Sequence, residues 1–279
     1  MPSRREYLAA LTATGLAGCV GNSPGSTVDS LIDTATTTPG TPSRPPVVVE
    51  AATVQYSYRH IENVDWNAIR VADGQFVFAT VDATEADPIP GREAFALVAD
   101  DEVHDPVEID HRYPVGLDVP GGPYTPERDE TEPRGWLVFD VPARLATAPS
   151  LRLERETGSW EWGVDAEKAT TPPPAWEWTA GAPETVAPDE TFEITVTAEN
   201  VGDGLGTFRG AVNFSYPLYR PKGFDIVLDP GESGETTVSA SSRDADPGTE
   251  LEYGVRTPAG RSTVAVTVTT ESNSTESAN

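Results

Sequence analysis

Between Phe192 and Val268 apolar residues recur at every second position, and this alternation constrains the fold more than any other feature of the chain. Phe192, Ile194, Val196 and Ala198 alternate with Glu193, Thr195 and Thr197. Phe208, Gly210, Val212, Phe214, Tyr216 and Leu218 form the next inward set. Thr236, Val238 and Ala240 follow, then Leu251, Tyr253 and Val255, then Val264, Val266 and Val268. A period of two belongs to an extended strand with one buried face; a helix would repeat at 3.6. Turn residues separate the runs at 200–204, at Asp229-Pro230-Gly231, at Asp246-Pro247-Gly248 and at Pro258-Ala259-Gly260. Short strands spaced by such turns predict a β-sandwich over residues 176–269.

A second set of strands precedes it, in a unit spanning residues 47–167. The expected strands are Val54–Tyr58, Ile69–Ala72, Gln75–Val81, Ala94–Ala99, Trp136–Val141, Leu151–Glu156 and Trp160–Val164. Leu137, Phe139 and Val141 alternate with Val138 and Asp140, so one face of that strand is expected to be buried. Asp110–Arg134 is a long stretch of Pro, Gly and charged residues. Connections of that length are either functional or mobile. Residues 168–175 contain Pro172-Pro173-Pro174, a sequence that favours a stiff polyproline II spacer. The fold class predicted is all-β, with two tandem immunoglobulin-like β-sandwiches after a signal segment and a disordered linker.

The flanking segments differ in composition. Residues 19–46 are rich in Thr, Ser, Pro and Gly and bury too little apolar surface to fold. Ser/Thr tracts with proline resemble O-glycosylated stalks. Residues 270–279 form a polar tail. Residues 1–18 carry Arg4-Arg5 followed by an apolar run to Gly18 that is too short for the roughly 20 residues a membrane-spanning helix needs. A basic start, a short apolar stretch and small residues describe an export signal. The adjacent Arg4 and Arg5 resemble the twin-arginine signal, and Leu16-Ala17-Gly18-Cys19 resembles a lipobox. That resemblance implies cleavage before Cys19, a lipid on its sulfur, and residence on the outer face of the cell membrane. Cys19 is the sole cysteine, so acylation also accounts for a lone thiol in an exported chain.

The chain carries 19 basic and 45 acidic residues, a formal charge of −26. Such a charge repels phosphates and anionic lipid, which excludes nucleic acid as an expected partner. Lys168 and Lys222 are the only lysines. Acid excess with scarce lysine resembles proteins of extremely halophilic archaea, in which concentrated salt screens self-repulsion.

Two further resemblances concern the folded units. Residues 92–106 (REAFALVADDEVHDP) and 132–143 (EPRGWLVFDVPA) resemble an immunoglobulin-like domain of unknown function found in bacterial and archaeal lipoproteins. Residues 194–208 (ITVTAENVGDGLGTF), 227–235 (VLDPGESGE) and the valine-rich last strand resemble the cell-adhesion-related sandwich domains of surface proteins. Both imply a fold and no chemistry.

Candidate sites follow from residue type. His104-Asp105 and Asp110-His111 offer imidazoles and carboxylates, but their spacing matches no metal motif and no metal centre is expected. A blue-copper site needs a cysteine thiolate in the folded domain, and Cys19 belongs to the lipid. Asp100-Asp101-Glu102 and Glu127–Glu132 lack the pattern of a calcium loop and read as solvated surface. There is no Ser-x-x-Lys motif or phosphate loop. The glycines of Gly202-Asp203-Gly204-Leu205-Gly206 lie between strands and read as a turn. Trp160, Trp162, Trp176 and Trp178 flank the boundary between the units. Period two puts each pair on one face, where four rings could form an exposed ligand platform, or could instead pack into the cores. Asn213 and Asn273 head glycosylation sequons, and Asn213, opposite to Val212 and Phe214, is expected to face outward.

The leading functional expectation is a non-enzymatic, lipid-anchored cell-surface protein, without a cofactor, that binds or organises envelope components such as a glycan or a surface protein. The alternatives are a solute-binding lipoprotein of a transporter, or an enzyme with an unfamiliar site in residues 110–134.

Overall fold

The structure, a computed structural model, describes residues 45–109, 114–126, 132–156, 158–164, 166–214 and 221–270, together with the strand at 36–37. Their regular structure is β apart from two 3₁₀ turns, Arg92–Ala94 and Glu167–Thr170. The strands of the first sandwich are β1 (Thr36–Thr37), β2 (Val48–Asn63), β3 (Trp66–Asp82), β4 (Phe95–Ala99), β5 (Glu102–His104), β6 (Pro114–Val115), β7 (Arg134–Val141), β8 (Ser150–Arg155) and β9 (Gly158–Gly163). The second sandwich contains β10 (Trp176–Gly181), β11 (Thr185–Val186), β12 (Thr191–Asn200), β13 (Gly206–Phe214), β14 (Lys222–Leu228), β15 (Ser233–Ser241), β16 (Glu250–Thr257) and β17 (Gly260–Val268).

Both sandwiches repeat one strand order. In the first, the sheet β6-β2-β3-β7 faces the sheet β1-β9-β8-β4-β5; in the second, β10-β12-β15 faces β11-β17-β16-β13-β14. Lettered in chain order, each consists of an A-B-E sheet against a G-F-C-C′ sheet, the immunoglobulin-like arrangement. The alternating positions fill the cores. Phe192, Ile194, Val196, Phe208, Val212, Leu251, Tyr253, Val264 and Val266 are buried together in the second. Val77, Val81, Phe95, Leu97, Leu137, Phe139, Leu151 and Leu153 do the same in the first.

Four sequence expectations needed correction. Thr36 and Thr37, inside the 19–46 stretch expected not to fold, pair with Glu161 and Trp160 of β9. The stretches Ile69–Ala72 and Gln75–Val81 belong to one strand, β3, whose pairing with β2 is interrupted between Gln55 and Ser57. The polar break at Asp73-Gly74 marks that irregularity, and the Asp140 carboxylate accepts both of their backbone N–H groups, at 3.1 and 3.3 Å. The strand β14 turns Phe224, Ile226 and Leu228 inward, but the exposed Val227 between the last two disguises the alternation and the strand was not predicted. The described part of residues 110–134 is a packed cover. Ile109 and Val119 pack with Tyr58, Phe76, Phe78, Trp136 and Val138 on the outer face of the β2-β3-β7 sheet. Gly122 and Tyr124 bond the exposed edge of β7 at Trp136, and Val107 bonds it at Val138. A sheet edge capped this way offers no template for further pairing.

The linker is also fixed in place. Asn200 is fully buried; its Oδ1 accepts from Ala175 N (3.3 Å) and Gly202 N (3.1 Å), and its Nδ2 donates to Gly204 O (2.7 Å) and Leu228 O (3.1 Å). Pro172–Pro174 lies against the 202–206 turn so closely that a Cβ on Gly204 would collide with the Pro172 carbonyl. The glycine-rich turn therefore serves the close approach of another backbone.

Tyr253 is buried with its hydroxyl unpartnered among the described residues, and burial pushes its pKa up to about 12. A pKa raised above the unfolded value of roughly 10 gives stability that is complete below pH ~10 and lost as pH rises toward 12. Tyr253→Phe is expected to abolish that alkaline loss, and to leave stability at neutral pH unchanged or higher by about 1 kcal/mol, since an unbonded buried hydroxyl costs energy. Denaturant melts at pH 8 and pH 11 check this.

Candidate functional site: the junction of the sandwiches

Beyond the Gln55–Ser57 irregularity the β2-β3 hairpin continues as an arm, residues 57–71, that leaves the first core. Gln55 holds the bend: its Nε2 donates to Ser57 O (2.8 Å) and its Oε1 accepts from Asp118 N (2.9 Å). Bulged strands bend and twist, which re-aims the arm. It runs onto the outer face of β13 in the second sandwich.

That face is built to receive it. On β13 the residues Arg209, Ala211 and Asn213 point away from their own core, yet Arg209 is 3% and Asn213 1% exposed. Asn213 imitates a neighbouring strand: Oδ1 accepts from Asn67 N (2.9 Å) and Nδ2 donates to Asn67 O (3.0 Å). Arg209 donates to the Gly116 carbonyl and pairs with Asp118 at 2.6 Å, which ties the cover of the first sandwich to the second. On the other flank Arg59 donates to Phe224 O (2.9 Å) and pairs with Asp225 (2.6 Å). Arg256 stacks over the Trp66 ring at 4.8 Å. Small residues make room: a Cβ on Gly223 would strike the Arg59 side chain, and Gly254 faces Trp66. A buried arginine and amide, each bonded across the junction, fix orientation, because shifting the interface would strand charged or polar groups without partners.

The structure separates the four tryptophans rather than assembling them. Trp160 and Trp162 are 1% and 3% exposed within the first core. Trp176 and Trp178 are half-buried against Phe208 of the second, with centroid separations of 5.3 and 6.3 Å. The exposed platform is thus excluded, because each pair uses its apolar area in its own sandwich. Asn213 does face away from Val212 and Phe214, but what lies there is the first sandwich rather than solvent. A glycan on Asn213 is incompatible with this junction. Cys19, Arg4, Arg5 and Asn273 lie outside the described residues, as do Asp110, His111 and most of Glu127–Glu132.

The remaining candidates have local explanations. Asp100 and Asp101 adopt positive φ, 48° and 67°, at the β4-β5 turn. The Asp100 carboxylate accepts from the backbone N–H groups of Ala146 and Thr147, and these bonds, Ala146 foremost, hold its pKa below the usual range. It clamps a loop. His104 is half-buried, and no group of three or more His, Cys, Asp or Glu among the described residues is arranged to hold a metal. Sequence reasoning missed the junction. The signal available was Ala211, a small apolar residue at an outward position between Arg209 and Asn213.

The sequence matches no protein-family model and no curated protein sequence. Among solved structures it is similar to the CARDB domain of the PF1109 protein from Pyrococcus furiosus, determined in complex with di-metal ions. Identity is 17% over 35% of this chain and 96% of that one, with a TM-score of 0.30. It is also similar to a β-glucosidase from Listeria innocua in complex with isofagomine, 18% identical over 34% of this chain and 16% of that one, TM-score 0.28. Likeness at this level transfers no metal, ligand or activity to this chain.

Proposed function

We propose that this chain is a non-enzymatic cell-surface protein, anchored by a lipid on Cys19, that binds or organises envelope components by holding two sandwiches in one fixed orientation. The observation that carries this reading is the buried polar junction, Asn213 on Asn67 and Arg209 on Asp118. Such a joint suits a protein that presents a surface in a set direction, and it contributes nothing to a hinge that closes on a solute. The lipobox-like Leu16–Cys19 and the Thr/Pro-rich stretch after it support a tethered address. Two lipid chains provide stable anchoring where one does not.

The test has two parts. On intact cells the native chain is expected to react with membrane-impermeant reagents and to fractionate with membranes, and Cys19→Ser to appear in the medium. Retention of Cys19→Ser on salt-washed membranes would remove the anchor. The purified chain is then expected to cosediment saturably with envelope fragments from cells lacking it; a linear, non-saturating association would remove the binding role.

The acidity fits a salt-rich surrounding in the same reading. With a charge of −26, self-repulsion opposes the compact state at low ionic strength. The Debye length falls from ~10 Å at 0.1 M to ~3 Å at 1 M. The melting temperature is expected to rise steadily over that range, equally in sodium and potassium chloride. Full stabilisation by micromolar calcium at low sodium chloride would point instead to a specific acidic site.

A further inference from the structure

At one end of the second sandwich, where β12, β13, β14 and β15 converge, a cleft of about 520 Å³ opens to solvent. Its walls include Thr191, Phe214, Lys222, Ser239, Ser241 and Arg243. The charge of this lining runs against the rest of the molecule. The chain has 45 acidic and 19 basic residues, yet among the described residues the lining holds two cations and no carboxylate, and one of the cations is among the chain's two lysines. The volume falls in the range of small-molecule sites, roughly 300–1,000 Å³.

The Lys222 ammonium is held by the backbone beside it, and the chain that carries Arg243 is anchored at Ser242. Lys222 Nζ donates to Ser239 O at 2.6 Å and sits 5.9 Å from the centroid of the Phe214 ring. An ammonium has three N–H donors, and the bond to Ser239 O uses one of them. Arg243 follows Ser242, which is fully buried and anchored by its hydroxyl to Ala187 O at 2.6 Å and Glu190 N at 2.8 Å. Arg243 N also donates to Ser241 Oγ at 3.1 Å. Thr191 and Ser241 are directly opposite in the β12-β15 register, which places two side-chain hydroxyls on facing positions at the rim.

We propose that this cleft binds an acidic saccharide, a pyranose carrying a carboxylate or a sulfate. The anionic group pairs with Lys222 and Arg243. The ring hydroxyls exchange hydrogen bonds with Thr191, Ser239 and Ser241, groups that both donate and accept. A guanidinium in this position offers a planar fork matched to a carboxylate or sulfate. A neutral sugar would leave the two cations without a partner. The inference deepens the surface-binding reading and rests on it only for where such a sugar is met.

The test titrates the purified full-length chain by calorimetry with three disaccharides of equal size: one containing glucuronate, one sulfated and one neutral. At least one acidic disaccharide is expected to bind, and to bind at least about tenfold more tightly than the neutral one. The double variant Lys222→Gln/Arg243→Gln is expected to lose that binding at least about tenfold with its melting temperature unchanged. Arg261→Gln, which removes a cation from the exposed face of β17, is expected to bind as the native chain does. No heat from either acidic disaccharide, equal binding of all three, or native-like binding by the double variant would each overturn the proposal. Because purified sugars are used, these outcomes leave the envelope cosedimentation to stand or fall by itself.

Discussion

A strand buried on both faces must satisfy every polar group it carries, and β13 is such a strand. One face supplies Phe208, Val212 and Phe214 to its own core, and the other lies under the arm of the first sandwich. The second face is not apolar. It carries Arg209 and Asn213, and each needs a specific partner at a fixed distance. Asn213 solves this by completing a peptide-like pair with Asn67; Arg209 does so with Gly116 and Asp118. Losing either register would bury an uncompensated group at a cost on the order of 1–3 kcal/mol for a neutral group and more for a charge.

Much of the remaining architecture follows from that requirement. The β2-β3 hairpin is long because it serves two purposes, core strand below Gln55 and docking arm above it. The 110–134 connection covers one sheet face and also delivers Gly116 and Asp118 to Arg209. The three linker prolines lie on a glycine turn, so the covalent path between the sandwiches is fixed as well as the noncovalent one. Carboxylates that resemble candidate ligands in the sequence hold loops instead, Asp100 at 146–147 and Asp140 at 73–74.

The all-β class and the faces of β12, β16 and β17 were legible because one-sided burial imprints a period of two. The junction was not, for the same reason: Asn213 occupies an outward position, and alternation alone cannot tell solvent from a second domain. The tryptophan pairs were ambiguous because a Trp-x-Trp strand reads the same whether its face meets water or a core. The strand β14 went unseen because the exposed Val227 sits between the inward Ile226 and Leu228 and disguises the alternation. The cleft around Lys222 and Arg243 draws its residues from four strands and the turn after β15, and only folding brings them together.

The central claim is that the two sandwiches form one rigid body through the Asn213–Asn67 pair. Residual dipolar couplings on the native chain and on Asn213→Ala test it most directly. The account predicts that one alignment tensor fits the backbone amides of both sandwiches in the native chain, and that the variant requires two of different magnitude while each sandwich keeps its internal couplings. Two independent tensors in the native chain, or one shared tensor undisturbed in Asn213→Ala, would contradict it.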